Sequence, residues 1–127
     1  MISHVAIYTL DLERLKRFYV TYFGAVANMK YKNQTTGLET YFLSFDGNKT
    51  QIELMYRPNV TKRDSEQAHL GFIHLAFQLG SRAKVDYLTQ LLESDGYEIV
   101  SQPRTTGDGY YESCILDPDG NQIELVA

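Results

Sequence analysis

Two histidines and two glutamates in this chain stand at spacings that could do chemistry. His4 precedes Glu53 by 49 residues, and His74 precedes Glu124 by 50. Each histidine opens a short apolar run, HVAI at His4–Ile7 and HLAF at His74–Phe77. Each glutamate sits inside the same four letters, QIEL, reached through DGNKT in the first case and DGN in the second. A charge among apolar residues is costly unless it is paired or bound to a metal. Imidazole nitrogens and carboxylate oxygens are donors that a first-row transition metal accepts. One such His–Glu pair carries little information, because a single strand histidine is usually structural and a single glutamate near a chain end is usually solvated. The same pair at matched places in two copies of one unit points to a divalent metal held by His4, Glu53, His74 and Glu124.

The elements around these residues repeat as well. After HVAI, the residues Leu12, Leu15, Phe18, Tyr19 and Tyr22 recur at three- and four-residue steps, and Gly24 closes the run. After HLAF, Val85, Leu88, Leu91 and Leu92 do the same, and Gly96 closes it. That spacing predicts one apolar helix face in each half, with Asp11 and Ser81 as N-caps. Strand signals follow at Ala25–Tyr31, Glu39–Phe45 and Thr50–Met55, and again at Glu98–Gln102, Tyr110–Leu116 and Gln122–Val126. Both halves read β-α-β-β-β. The expected organisation is one domain of two modules, 1–56 and 70–127, joined by the polar linker Arg57–His69. His69 is expected to be exposed within it.

Alternation along a strand sends Ile52 and Leu54 to one face and Gln51, Glu53 and Met55 to the other. Ile123 and Leu125 likewise oppose Gln122, Glu124 and Val126, and His4 shares a face with Ala6 and Tyr8. If the four strands of a module form a curved sheet, its first and last strands each point one donor to the concave side. Two modules then supply two imidazoles and two carboxylates.

The bulk properties narrow the alternatives. The chain has 127 residues and a net charge of −4. It lacks the basic face that nucleic acid or an anionic membrane requires. No apolar run approaches the ~20 residues that span a bilayer, and the first residues lack the pattern of a secretory signal. A single cysteine, Cys114, forms no internal disulfide; in the run SCIL it reads as a buried, inert thiol. The expected location is the cytoplasm.

The opening SHVAI with LERLKRFYVTYFG, the segment GFIHLAF and the ending LDPDGNQIEL resemble the glyoxalase I / vicinal oxygen chelate superfamily, over essentially the whole chain. The resemblance implies an α+β fold of two βαβββ modules with curved mixed sheets, paired in a homodimer. It implies one metal per site, Ni²⁺ or Zn²⁺, on His4, Glu53, His74 and Glu124. The first-module glutamate points to the glyoxalase I branch, since fosfomycin-modifying relatives and extradiol dioxygenases typically use two histidines and one glutamate. The implied reaction is that of a lactoylglutathione lyase-like isomerase. A small 2-oxoaldehyde–thiol adduct is chelated through neighbouring oxygens and converted through a metal-stabilised enediolate. Glu124 is the implied base and Glu53 the second choice. Two departures concern the thiol. Tyr8 and Thr9 stand where bacterial glyoxalase I enzymes place a glutathione-holding arginine, and Arg57 stands where they place an asparagine.

Candidate substrate contacts are Arg57, just past the Glu53 strand, and Arg104, Tyr110 and Tyr111 in the stretch PRTTGDGYYES, Pro103–Ser113, which reads as a loop. Arg104 offers a bidentate donor to a carboxylate or phosphate. Tyr110 and Tyr111 point to opposite faces. Two other functions compete: a metal-dependent thiol transferase conferring fosfomycin-type resistance, and a metal-free drug-binding resistance protein.

Overall fold

The computed structural model describes residues 1–64 and 67–127. The chain forms two compact units, Met1–Asp64 and Ser65–Ala127. Ser65 and Glu66, in the expected linker, lie outside the described residues. The architecture is mixed α+β with two curved sheets and two helices, the vicinal oxygen chelate fold.

In the first unit, β1 (His4–Tyr8) leads into α1 (Leu12–Phe23). The short strands β2 (Val26–Ala27) and β3 (Tyr31–Lys32) follow, then β4 (Glu39–Ser44) and β5 (Gln51–Tyr56). The sheet order is β1-β5-β4-β2, with β3 also on β4. The second unit has β6 (His74–Gln78), α2 (Arg82–Ser94), β7 (Ile99–Thr105), β8 (Tyr111–Leu116) and β9 (Gln122–Val126), in the order β6-β9-β8-β7. First and last strands pair in parallel in both units, and the later strands are antiparallel.

Each helix starts as its sequence dictates. The Asp11 carboxylate accepts the Arg14 N–H at 3.0 Å, and the Ser81 hydroxyl accepts the Lys84 N–H at 3.3 Å. These satisfy donors that the first turn leaves open. Gly24 ends α1 with φ +65°, a left-handed conformation that costs glycine little. Helices and sheets meet through the apolar rows read above. Leu15, Leu43, Leu54, Val85, Leu92, Ile115, Ile123 and Leu125 are fully buried, and each such side chain contributes about 1.5–3 kcal/mol by leaving water.

Two local expectations change. Ala25–Tyr31 is two short strands rather than one, because Asn28 departs from the ladder. Its side-chain oxygen accepts the Phe42 N–H at 2.8 Å, while its own N–H donates to the Phe42 carbonyl at 3.1 Å. Pro103–Ser113 is mostly strand rather than loop. Pro103, Arg104 and Thr105 belong to β7, and only the turn around Thr106–Tyr110 is irregular. Proline is tolerated there because β7 is an edge strand whose register against β8 shifts twice.

The two turns before QIEL are built differently. In the first, Thr50 N–H donates to the Asn48 side chain at 3.0 Å, and the Thr50 hydroxyl donates to the Ile2 carbonyl at 3.0 Å. In the second, the nearly buried Asp117 carboxylate accepts the backbone N–H groups of Asp119 and Asn121 and the Asn121 side-chain amide, each at 2.9 Å. Replacing Asp117 by alanine strands three donors at once. Asp117→Ala is expected to lower unfolding stability by about 2–4 kcal/mol in chemical denaturation; a loss under about 0.5 kcal/mol would refute this account of the turn.

A second cluster ties α1 to β4. The Tyr41 hydroxyl donates to Glu13 at 2.8 Å, and Lys16 and Lys30 reach the same carboxylate at 2.8 and 3.2 Å. Lys16, foremost, and then Tyr41 hold the Glu13 carboxyl down to about 2, from 4.5. A carboxyl depressed on folding contributes stability above its unfolded value and loses it as pH falls towards its folded value. Glu13 is partly exposed, so solvent screens most of the contribution. The loss of stability between pH 4.5 and 2 is therefore expected to be slightly smaller in Glu13→Gln than in the parent, read from denaturant midpoints across that interval.

Candidate functional site

Each helix covers one face of its sheet and leaves the other face open. In the first unit Val5, Ile7, Ile52 and Leu54 turn towards α1. His4, Ala6, Tyr8, Gln51, Glu53 and Met55 take the opposite side, as strand alternation requires. The parallel register sets Ala6 opposite Glu53 and His4 opposite Gln51. Histidine and glutamate are thus diagonal neighbours across an alanine too small to separate them. The His4 Nε2 lies 3.6 Å from the Glu53 Oε2.

The second unit repeats this register. Ala76 stands opposite Glu124 and His74 opposite Gln122, and His74 Nε2 lies 3.2 Å from Glu124 Oε2. All four side chains reach solvent: His4 is 42% and His74 35% exposed, against 15% for Glu53 and 22% for Glu124. The structure therefore brings each histidine to the glutamate of its own unit. Among the described residues, no group of three or more His, Cys, Asp or Glu side chains gathers as a metal-holding cluster.

The donor geometry of each pair fits a shared cation. Two ligands bonded to one metal at about 2.1 Å, with angles between octahedral and tetrahedral, lie about 3.0–3.4 Å apart. The His74–Glu124 separation falls in that range and His4–Glu53 is slightly longer. The mixed nitrogen and oxygen set suits Zn²⁺ or Ni²⁺.

The surroundings of the two pairs differ. Phe42 stands opposite Glu53 and meets the His4 ring edge-on, with centroids 5.4 Å apart. Cys114 stands opposite Glu124. The thiol is half-buried on the open face, not sealed in the core as expected, because Ser113 and Ile115 take the buried positions of that run. Burial pushes its pKa up, and the negative charges of Glu124 and Glu112 add to the effect.

The second unit carries a cavity of about 510 Å³, lined by Ala76, Gln78, Tyr110, Glu112, Glu124, Val126 and Ala127. Tyr110 is thus at the cavity. Tyr111 turns to the helix side, where its hydroxyl donates to Asp86 at 2.6 Å and Arg82 lies 4.8 Å from its ring centroid. Arg104 stands opposite Glu112, but its guanidinium donates to the Ser101 hydroxyl at 2.7 Å and does not line the cavity. Arg57 lies 6.0 Å from the centre of the Tyr8 ring. Sequence reading passed over Glu112. Alternation in YYESCIL was the available signal, since it puts Glu112 on the face of Cys114, opposite Tyr111 and Ser113.

Each unit thus repeats one strand-and-helix plan with a His–Glu pair on the open face of its sheet. A family model for the glyoxalase/bleomycin resistance protein/dioxygenase superfamily matches residues 1–125, and the chain belongs to that superfamily. Similar proteins include the uncharacterized proteins YqjT and YwkD of Bacillus subtilis. YqjT is 27% identical, with 98% of this chain and 96% of YqjT covered. YwkD is 32% identical, with 98% and 94% covered. Among solved structures, glyoxalase I from Zea mays superposes with a TM-score of 0.81 at 27% identity over 98% of this chain, which spans 43% of the maize enzyme. A glyoxalase family protein from Enterococcus faecalis gives 0.82 at 25% identity, covering 100% of this chain and 97% of that one.

The shift of Cys114 makes its thiolate scarce near neutral pH. In chelator-treated protein, Cys114 is expected to react with iodoacetamide at pH 8 more slowly than the cysteine of a short unstructured peptide does, and Glu112→Gln is expected to speed it. A parent rate equal to that of the peptide would contradict this description of the open face.

Proposed function

We propose that the protein is a metal-dependent lyase or isomerase of the glyoxalase I type, acting on a small 2-oxoaldehyde–thiol adduct or a similar substrate with two neighbouring oxygens. The observation that carries the reading is the matched register: two parallel strand pairs place His diagonal to Glu across an alanine, once in each unit. The similarity to maize glyoxalase I supports the choice of reaction. His4, Glu53, His74 and Glu124 are the proposed ligands, and a homodimer is the proposed assembly that completes the site.

A bound Ni²⁺ or Zn²⁺ would supply Lewis-acid stabilisation to the two substrate oxygens. The chain's own part is proton movement and positioning. Glu124 is the proposed base, because it lines a cavity large enough for a substrate. It would take a proton from the hydroxyl-bearing carbon and return it to the neighbouring one, with no net change in protons or electrons. Glu53, less exposed and opposite Phe42, is the second candidate base. Tyr110 would hold the substrate from the cavity wall, and Arg57 from beside Tyr8.

Metal content of the purified protein, measured by mass spectrometry after Ni²⁺ and Zn²⁺ exposure, tests the reading. About one tightly held metal per chain is expected, falling at least ~100-fold in affinity in His74→Ala or His4→Ala with the fold intact. Failure of the parent to retain metal would overturn the proposal. Thr9 is buried and Tyr8 is exposed, and neither offers the cation of a glutathione-holding arginine. The kcat/KM on the methylglyoxal–glutathione adduct is therefore expected below about 10⁵ M⁻¹s⁻¹, an ordinary figure for a true substrate.

A further inference from the structure

The cavity beside Glu124 carries one more charged group, Glu112, whose place follows from its register. Glu112 stands opposite Val126 on β9, two residues from the Cys114–Glu124 pair, and so shares their open face. Among the described residues its carboxylate makes no ion pair and no hydrogen bond. The cation nearest in register, Arg104, is turned to Ser101 instead. Among the described residues, no Lys, Arg or His side chain lines the cavity, whose polar side chains besides Glu112 and Glu124 are Gln78 and Tyr110.

Charge counting makes Glu112 decisive, on the proposed reading of the metal. A divalent cation held by two carboxylates and two neutral imidazoles carries no net charge. Among the side chains of the described residues that line the cavity, Glu112 is then the charge left uncompensated. Partly buried charges a few ångströms from a ligand act with little screening by salt. We infer that Glu112 is a specificity-determining residue that selects substrates bearing a cationic group, such as an ammonium, on the arm that extends from the chelated oxygens. Ligands with a carboxylate on that arm are rejected. This deepens the proposed function by naming the substrate class, and it rests on that reading of the metal site.

The test uses three hydroxamates of similar length, which chelate through two neighbouring oxygens and differ in the charge of their tails: 4-aminobutyrohydroxamate, butyrohydroxamate and succinate monohydroxamate. Their dissociation constants for the Ni²⁺-loaded full chain are read by calorimetry, for the parent and for Glu112→Gln. The cationic tail is expected to bind at least ~10-fold more tightly than the anionic one in the parent, with the neutral one between. In Glu112→Gln the ratio is expected to fall to about 3-fold or less, with Ni²⁺ content unchanged. Glu112→Asp, which keeps the charge, is expected to retain most of the preference. Equal binding of all three tails, tighter binding of the anionic tail, or a preference that persists in Glu112→Gln would overturn the inference while leaving the metal reading standing. So would no detectable binding of any tail to a metal-loaded protein. Failure of the parent to take up Ni²⁺ would overturn the metal reading and, with it, this inference.

Discussion

The parallel pairing of the first and last strands of each unit is the constraint on which the rest depends. Parallel neighbours cannot be joined by a tight turn and need a crossover. In each unit a helix follows the first strand directly, and its apolar face seals one side of the sheet. The other side is left with no element of its own unit upon it. In the sheet order β1 and β6 are edge strands, with β5 and β9 beside them, so the residues these pairs turn outwards stand together at one end of the open side. Histidine at the start of one strand and glutamate in the middle of the other become diagonal neighbours in that register. A shift by one residue would send either donor into the core.

The two units use one backbone plan with different fillings. Where α1 presents Tyr19 and β4 presents Tyr41, α2 presents Thr89 and β8 presents Ser113. The buried Thr89 and Ser113 hydroxyls lie 2.7 Å apart, and Thr89 also donates to the Val85 carbonyl at 2.7 Å. A buried hydroxyl pair is tolerated because each partner satisfies the other. On the open side the exchange is Phe42 for Cys114. The Phe42 ring meets His4 edge-on, whereas a smaller thiol stands opposite Glu124, which borders the cavity.

Much of this was legible in the letters. The matched HVAI/HLAF and QIEL runs, the helical spacing of Leu12, Leu15, Phe18 and Tyr19, and the caps Asp11 and Ser81 gave the elements and their order. Alternation in QIEL placed Glu53 and Glu124 on the side away from the buried isoleucine and leucine. What stayed hidden depended on partners distant in sequence. The break at Asn28 needs the backbone of Phe42, and the strand character of Pro103–Thr105 needs β7 to be an edge. The opposite fates of Tyr110 and Tyr111 followed from alternation, but which one met the cavity depended on Asp86, on a helix 25 residues earlier. Arg104 looked like an anion-binding residue until Ser101 was found to hold it.

The division between a sealed face and an open face also explains why such a scaffold can carry different chemistries. Stability comes from the helix side, where Leu15, Leu43, Leu54, Ile115, Ile123 and Leu125 exclude water completely. Removing a large side chain there leaves a cavity and costs about 2–5 kcal/mol, a large fraction of the stability of a domain this size. The open face contributes far less, since its residues remain partly hydrated. A change there, such as Phe42 against Cys114 or a carboxylate at Glu112, alters charge and volume at the site while the core that fixes the register is untouched. Glu112 and Cys114 on β8 can therefore change without disturbing the His–Glu diagonal on β6 and β9, because β8 borders that pair and supplies neither member of it.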